Sequence, residues 1–164
     1  MDAGEAIDIT VTVNGVACRR RVDARQSLVD FLREDLELTG SHVGCEHGVC
    51  GACTVRVDGV LARGCLMLAA QCDGSAVETI EGVAASGTIA DLQAAFAVAN
   101  ALQCGYCTPA MLLTADALLR EDPGLGADEI RRGLSGNYCR CTGYHAIVEA
   151  VLATARSRRE ARGG

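Results

Sequence analysis

Two sets of four cysteines stand at spacings that suit inorganic centres. Cys45, Cys50, Cys53 and Cys65 form a C-x4-C-x2-C run with a fourth cysteine twelve positions after the third. Cys104 and Cys107 form a C-x2-C pair and Cys139 and Cys141 a C-x-C pair, with 31 residues between the pairs. Four thiolates complete the coordination of one iron–sulfur cluster or one zinc ion, so the two quartets predict two sites.

The first spacing is that of plant-type ferredoxins, which hold a 2Fe–2S cluster. Gly44, Gly48 and Gly51 surround its cysteines. Their freedom to take positive φ lets the chain curl closely around the sulfurs, so that backbone N–H groups can point at them. Zinc sites usually draw two ligands from each of two knuckles, and a three-plus-one distribution fits that poorly. His42 and His47 read as exposed loop residues, since four cysteines already fill the site. In the second quartet, Cys104 and Cys107 lie just before Thr108-Pro109, a helix-opening pair. The positive end of a helix dipole favours thiolates there. Spacing by itself leaves a cluster, a zinc ion and a redox-active dithiol open at this site.

The elements that must position these cysteines divide the chain into a strand-rich half and a helical half. Ile7, Ile9, Val11 and Val13 alternate as a half-buried strand does, and Asn14-Gly15 turns the chain into a return strand over Val16–Val22. Ser27 caps a short helix bearing Leu28, Phe31, Leu32 and Leu36. The loop from Gly40 to Ala52 carries the first cysteines. Thr54–Val57 and Val60–Ala62 pair around Asp58-Gly59 and deliver Cys65, and Ala76–Ile80 supplies a last strand. The stretch from Gly82 to Gly87 reads as a linker, placing domains at 1–82 and 83–164. Helices follow over Ile89–Leu102, Thr108–Arg120, Asp128–Leu134 and Tyr144–Arg156, enough for a small bundle.

The net charge of −6 argues against a nucleic-acid partner. The basic run Arg156, Arg158, Arg159 and Arg162 reads as a frayed cationic helix end. The N-terminal residues 1–5 are acidic and unlike a signal peptide, and no apolar run reaches the roughly 20 residues of a membrane-spanning helix, so a cytoplasmic protein is expected. Ten cysteines in a reducing compartment bind metal more readily than they pair. Cys18 and Cys72, outside both quartets, read as buried free thiols.

The residues around the cysteines carry more information than their spacing. The segments 44–55 (GCEHGVCGACTV), 103–109 (QCGYCTP) and 136–144 (GNYCRCTGY) resemble the three signatures of the small iron–sulfur subunits of molybdenum hydroxylases, the xanthine dehydrogenase and aerobic carbon monoxide dehydrogenase family. That resemblance implies an α+β fold, with an N-terminal plant-type ferredoxin-like (β-grasp) domain and a C-terminal four-helix bundle, each holding one 2Fe–2S cluster. It implies partners: a large subunit with a molybdopterin cofactor, often the cytosine dinucleotide form, and a medium subunit with FAD, assembled as a dimer of heterotrimers. Electrons from substrate oxidation would enter at the cluster of Cys104, Cys107, Cys139 and Cys141, near molybdenum. They would leave one at a time through that of Cys45, Cys50, Cys53 and Cys65, near FAD. Gln103 and Cys141 match positions that contact the pterin. Ala110 stands where the family commonly has Gly, and Tyr138 where it has an aliphatic residue. The rival readings are a free-standing two-cluster ferredoxin and a zinc-stabilised binding module.

Overall fold

The computed structural model describes the backbone of residues 6–163 and the side chains of residues 6–161. The acidic stretch 1–5 and the Arg162 side chain lie outside the described residues.

The fold is α+β, a mixed sheet followed by helices. β1 (Ala6–Val13) and β2 (Val16–Asp23) form the antiparallel hairpin that Asn14-Gly15 predicts. Both turn residues take positive φ, 51° and 80°, as a two-residue primed turn requires. β3 (Thr54–Val57) and β4 (Val60–Arg63) pair in the same way around Asp58-Gly59. β5 (Ala76–Glu78) then inserts parallel to β1 and antiparallel to β3, giving the order β2-β1-β5-β3-β4. The Ser27 Oγ accepts the Asp30 N–H at 3.1 Å and starts α1 (Leu28–Asp30), which runs into a π-helical turn, Phe31–Asp35. Leu28, Phe31 and Leu32 pack on the inward side chains of the sheet, Ile9, Val11, Val13, Val22, Val55 and Val77, as one apolar core.

The helical half contains α2 (Ile80–Ala85), α3 (Ala90–Val98), α4 (Thr108–Glu121), α5 (Ala127–Leu134) and α6 (His145–Gly163). Leu92, Phe96, Met111, Leu113, Leu119, Ile130, Ile147 and Val151 lie in their shared core. Five features differ from the sequence reading. The last strand ends at Glu78, and much of the expected linker 82–87 is helix: Ile80 and Val83, one turn apart, are buried in the helical core. The Ala-rich third helix stops at Val98 because Asn100 turns left-handed at φ 49°, and the Ala101 N–H returns to the Phe96 carbonyl at 2.9 Å. Cys107 occupies the cap of α4, so Thr108 and Pro109 are its first helical residues. α6 runs well past Arg156, and its basic end is not frayed at Arg158.

The Arg158 guanidinium grips Asp91 through two hydrogen bonds, 2.6 and 2.9 Å, and reaches Asp116 at 3.2 Å. This pairing holds the Asp91 carboxyl below its ordinary range and pushes Arg158 up. Asp116 is itself buried on α4, where it also pairs with Arg120 at 2.7 Å and accepts a hydrogen bond from Arg56 of β3 at 2.6 Å. Arg56 is 3% exposed: it points away from the Val55 side of the sheet and into the helical half. One buried carboxylate thus ties the sheet, α4 and α6 together.

Removing one partner of a buried ion pair strands the other. Asp116→Ala is expected to cost about 3–5 kcal/mol by taking the hydrogen-bonded partner from buried Arg56, which keeps only the half-exposed Glu78 carboxylate at 3.6 Å. The double change Arg56→Met with Asp116→Leu should recover much of that loss. Thermal denaturation midpoints check this: a double variant as unstable as Asp116→Ala would show that packing at this contact, not the stranded charge, dominates.

Candidate metal centres and the contacts between them

The first quartet sits where the sheet meets the long loop between the π-helical turn and β3. The loop closes on itself by pointing N–H groups inward. The Cys50 N–H reaches the Cys45 sulfur at 3.4 Å, and with the His47 and Val49 N–H groups it lowers the Cys45 thiol to about 6. N–H groups of Ala52 and Gly44 face Cys50, and that of Gly48 faces Cys65. Burial nevertheless pushes Cys50 up, and Cys65 up to about 11.

The three loop glycines have different work. Gly48 and Gly51 take positive φ, 81° and 75°. Gly44 does not; a Cβ there would stand 3.1 Å from the Cys50 sulfur, so its role is close approach. The left-handed position that the sequence reading missed is Glu46, at φ 59°.

The second quartet joins the start of α4 to the loop before α6, two segments the sequence could not bring together by itself. The Cys104 and Cys141 sulfurs are 3.5 Å apart, both exposed, and Cys107 faces Cys139. Burial pushes Cys107 up to about 12. Burial would raise Cys139 too, but the Thr142 hydroxyl at 3.1 Å and the Thr142 N–H at 3.4 Å outweigh it and lower that thiol. The Tyr144 N–H donates to the Thr142 Oγ1, which leaves the Thr142 hydroxyl proton for the sulfur. Gln103 donates to the Cys141 carbonyl at 3.1 Å, closing the exposed rim.

In both sites the thiols gather in twos: Cys45 with Cys50, Cys53 with Cys65, Cys104 with Cys141, Cys107 with Cys139. Among the described residues, no three His, Cys, Asp or Glu side chains converge on one point. Two thiolates for each of two irons match this arrangement, so the residues present fit a 2Fe–2S cluster at each quartet. The spread of thiol acidities means that cluster binding must displace protons, most of all at Cys65 and Cys107.

Between the two sites runs a polar contact that the sequence reading missed. The Tyr138 N–H donates to the Cys50 carbonyl at 2.8 Å, joining a residue next to Cys139 directly to the first loop. Asn137, buried, donates to the Gly51 carbonyl at 3.2 Å and accepts from the Thr114 hydroxyl at 3.1 Å. Arg63 donates to the Gly136 carbonyl at 2.7 Å and to the Thr54 hydroxyl. Asn137 stands two residues before Cys139, a signal sequence inspection could have used; nothing in the sequence marks Arg63. His42, expected to be a bystander, is half-buried and stacks on Tyr106. His47 is exposed as expected, with its Nδ1 on the Cys45 carbonyl. Cys72 is buried and its thiol is raised by burial, whereas Cys18 is half-buried, donating to the Val11 carbonyl at 3.3 Å.

Comparison with known proteins agrees with this geometry. Residues 11–77 match the 2Fe-2S iron-sulfur cluster binding domain family, and residues 79–152 match the [2Fe-2S] binding domain family. The gamma subunit of caffeine dehydrogenase from Pseudomonas sp. (strain CBB1) is 53% identical over 146 residues, 87% of each chain. The chain belongs to the small iron–sulfur subunits of the molybdenum hydroxylases. The xanthine dehydrogenase iron-sulfur-binding subunit of Escherichia coli O157:H7 is 44% identical, over 93% of this chain and 96% of its own. In quinoline 2-oxidoreductase from Pseudomonas putida 86, a chain of 42% identity superimposes with a TM-score of 0.86, covering 96% of this chain and 98% of that one. As a member of this family, the chain is an electron-transfer subunit of a multi-subunit oxidoreductase, with two 2Fe–2S domains. Among the described residues no helix is long and apolar enough to cross a membrane.

The approach of the two loops makes Gly51 the strictest glycine. An added Cβ would overlap the Gly136 carbonyl oxygen, whereas one on Gly105, also left-handed at φ 81°, would meet nothing within 4 Å. Gly105→Ala should cost about 1–2 kcal/mol for its conformation alone. Gly51→Ala should cost clearly more, read as a lower denaturation midpoint. Equal losses would mean that the loop-to-loop approach at Gly136 yields freely.

Proposed function

We propose that this chain relays electrons one at a time from a molybdopterin centre, of the cytosine dinucleotide form, in a large partner subunit to FAD in a medium one. Cys104, Cys107, Cys139 and Cys141 would hold the cluster nearer molybdenum, and Cys45, Cys50, Cys53 and Cys65 the one nearer FAD. The observation that carries this reading is the pairing of all eight thiols, two by two, at two sites joined by the Tyr138–Cys50 hydrogen bond. A 2Fe–2S cluster supplies reversible one-electron chemistry. The chain's own groups set its conditions: N–H groups of the Gly44–Ala52 loop and the Thr142 hydroxyl stabilise negative charge on the sulfurs. The exposed rim of Gln103, Cys104 and Cys141 suits contact with a pterin held by a neighbouring chain.

In this reading α3, α4, α5 and α6 form a four-helix bundle and the chain divides near 82/83. Two apolar cores without a shared residue, and family matches that part between residues 77 and 79, support a division in this region, with α2 straddling it. A dimer of heterotrimers in the cytoplasm is the assembly we infer, in line with relatives named as subunits of caffeine and xanthine dehydrogenases. The substrate pocket belongs on the large partner.

The test uses the purified complex. Reduction with dithionite should give two distinct electron paramagnetic resonance signals, and about four iron and four sulfide per chain. Cys104→Ser and Cys50→Ser should each remove a different signal, and Cys104→Ser should stop substrate-driven reduction of flavin. Both signals surviving either change would sink the assignment.

A further inference from the structure

Tyr106 stands between Cys104 and Cys107, yet its side chain reaches across to the first loop. Its ring stacks on His42 with centroids 4.4 Å apart and planes 17° from parallel. Its hydroxyl donates to the Val43 carbonyl at 2.8 Å. Its own carbonyl accepts from His42 Nδ1 at 2.8 Å, which fixes the proton on that nitrogen. The ring edge lies 3.9 Å from where a Cβ on Gly44 would stand, beside Cys45. Tyr106 therefore clasps the segment 42–44 that leads into the first quartet. Among the described residues, these two hydrogen bonds are the ones that tie 42–44 to the helical half. The Tyr138–Cys50 bond and the Asn137 contacts tie the loop elsewhere, at Cys50 and Gly51.

Tyr106 as a residue is 46% exposed, so burial gives it little reason to lie here. Its polar tip and its face are both engaged, a use of tyrosine that orders two chain segments at small entropic cost.

We propose that Tyr106, held by His42, is a positioning residue that fixes the spacing of the two cysteine loops, and with it the rate at which one electron passes between the centres they hold. This rests on the two-cluster reading above. One electron leaves the reduced centre of the second quartet and reduces the centre of the first; no bond is made or broken, and no proton need move at Tyr106.

The test compares Tyr106→Ala, Tyr106→Phe and His42→Ala in the purified complex with both centres reduced by dithionite. The first readout is the magnetic dipolar splitting between the two paramagnetic centres at low temperature, which a merely stabilising residue would leave unchanged. The second is the rate of flavin reduction after a substrate pulse. Tyr106→Ala is expected to shrink or spread the splitting and slow flavin reduction on the order of tenfold. Tyr106→Phe keeps the stack and loses the Val43 tie, and should fall between Tyr106→Ala and the unaltered chain; His42→Ala loses the stack and should do the same. Unaltered splitting and rate in Tyr106→Ala overturn the proposal. If that variant binds too little iron to measure, unaltered splitting in both Tyr106→Phe and His42→Ala overturns it. Fewer than two signals in the unaltered complex would instead count against the two-cluster reading itself.

Discussion

The structure depends on a backbone-to-backbone approach that leaves no room for a side chain. The Gly51 loop of the first quartet and the Gly136–Tyr138 segment before Cys139 press together across the two halves of the chain. The buried carbonyl of Gly51 and the half-buried one of Gly136 would be expensive without partners. Asn137 and Arg63 supply them, and the Tyr138 N–H satisfies the Cys50 carbonyl. Each of these groups lies within a few residues of a cysteine. The contact that satisfies the backbone is therefore also one of the ties that hold the two sites to one another.

The charge cluster around Asp116 does similar work on the same face of β3, where Arg56 follows Thr54 by two residues. A half-buried sheet normally exposes its second face, and β3 instead buries Arg56 against α4. A guanidinium there is tolerable because it is paired with a carboxylate that Arg120 and Arg158 also bind. Through the loop contact at Thr54 and this ion cluster at Arg56, the helical half is fixed to successive inward positions of β3. A chain that passes electrons between fixed centres gains from such rigidity, because the distance between the centres is then a property of the fold.

Much of this was readable in advance, for identifiable reasons. The Asn14-Gly15 and Asp58-Gly59 hairpins, the Ser27 cap and the place of Pro109 in the first turn of α4 follow from local backbone preferences, which need few distant contacts to act. The stretch 82–87 misled because its small residues lack a visible period, and Ile80 with Val83 becomes an apolar face only once a helical core is there to bury it. Arg158 misled for a similar reason: a basic helix end looks solvated until Asp91 and Asp116 are placed beside it. Residues within the cysteine segments whose partners are remote, such as Tyr106 and Asn137, gave no sign of whom they would meet.

Sequence alone determined the chemistry. Cysteine spacing and the glycines among them specify thiolate sites, and the residues around them specify a family, because ligand identity and local loop conformation are encoded within a few positions. Tertiary structure decided the pairing of Cys104 with Cys141 and Cys107 with Cys139, the junction of the two loops, and the burial of Asp116. These depend on which surfaces meet after the chain has closed loops of thirty residues and more, and on which polar groups are left needing partners when they do.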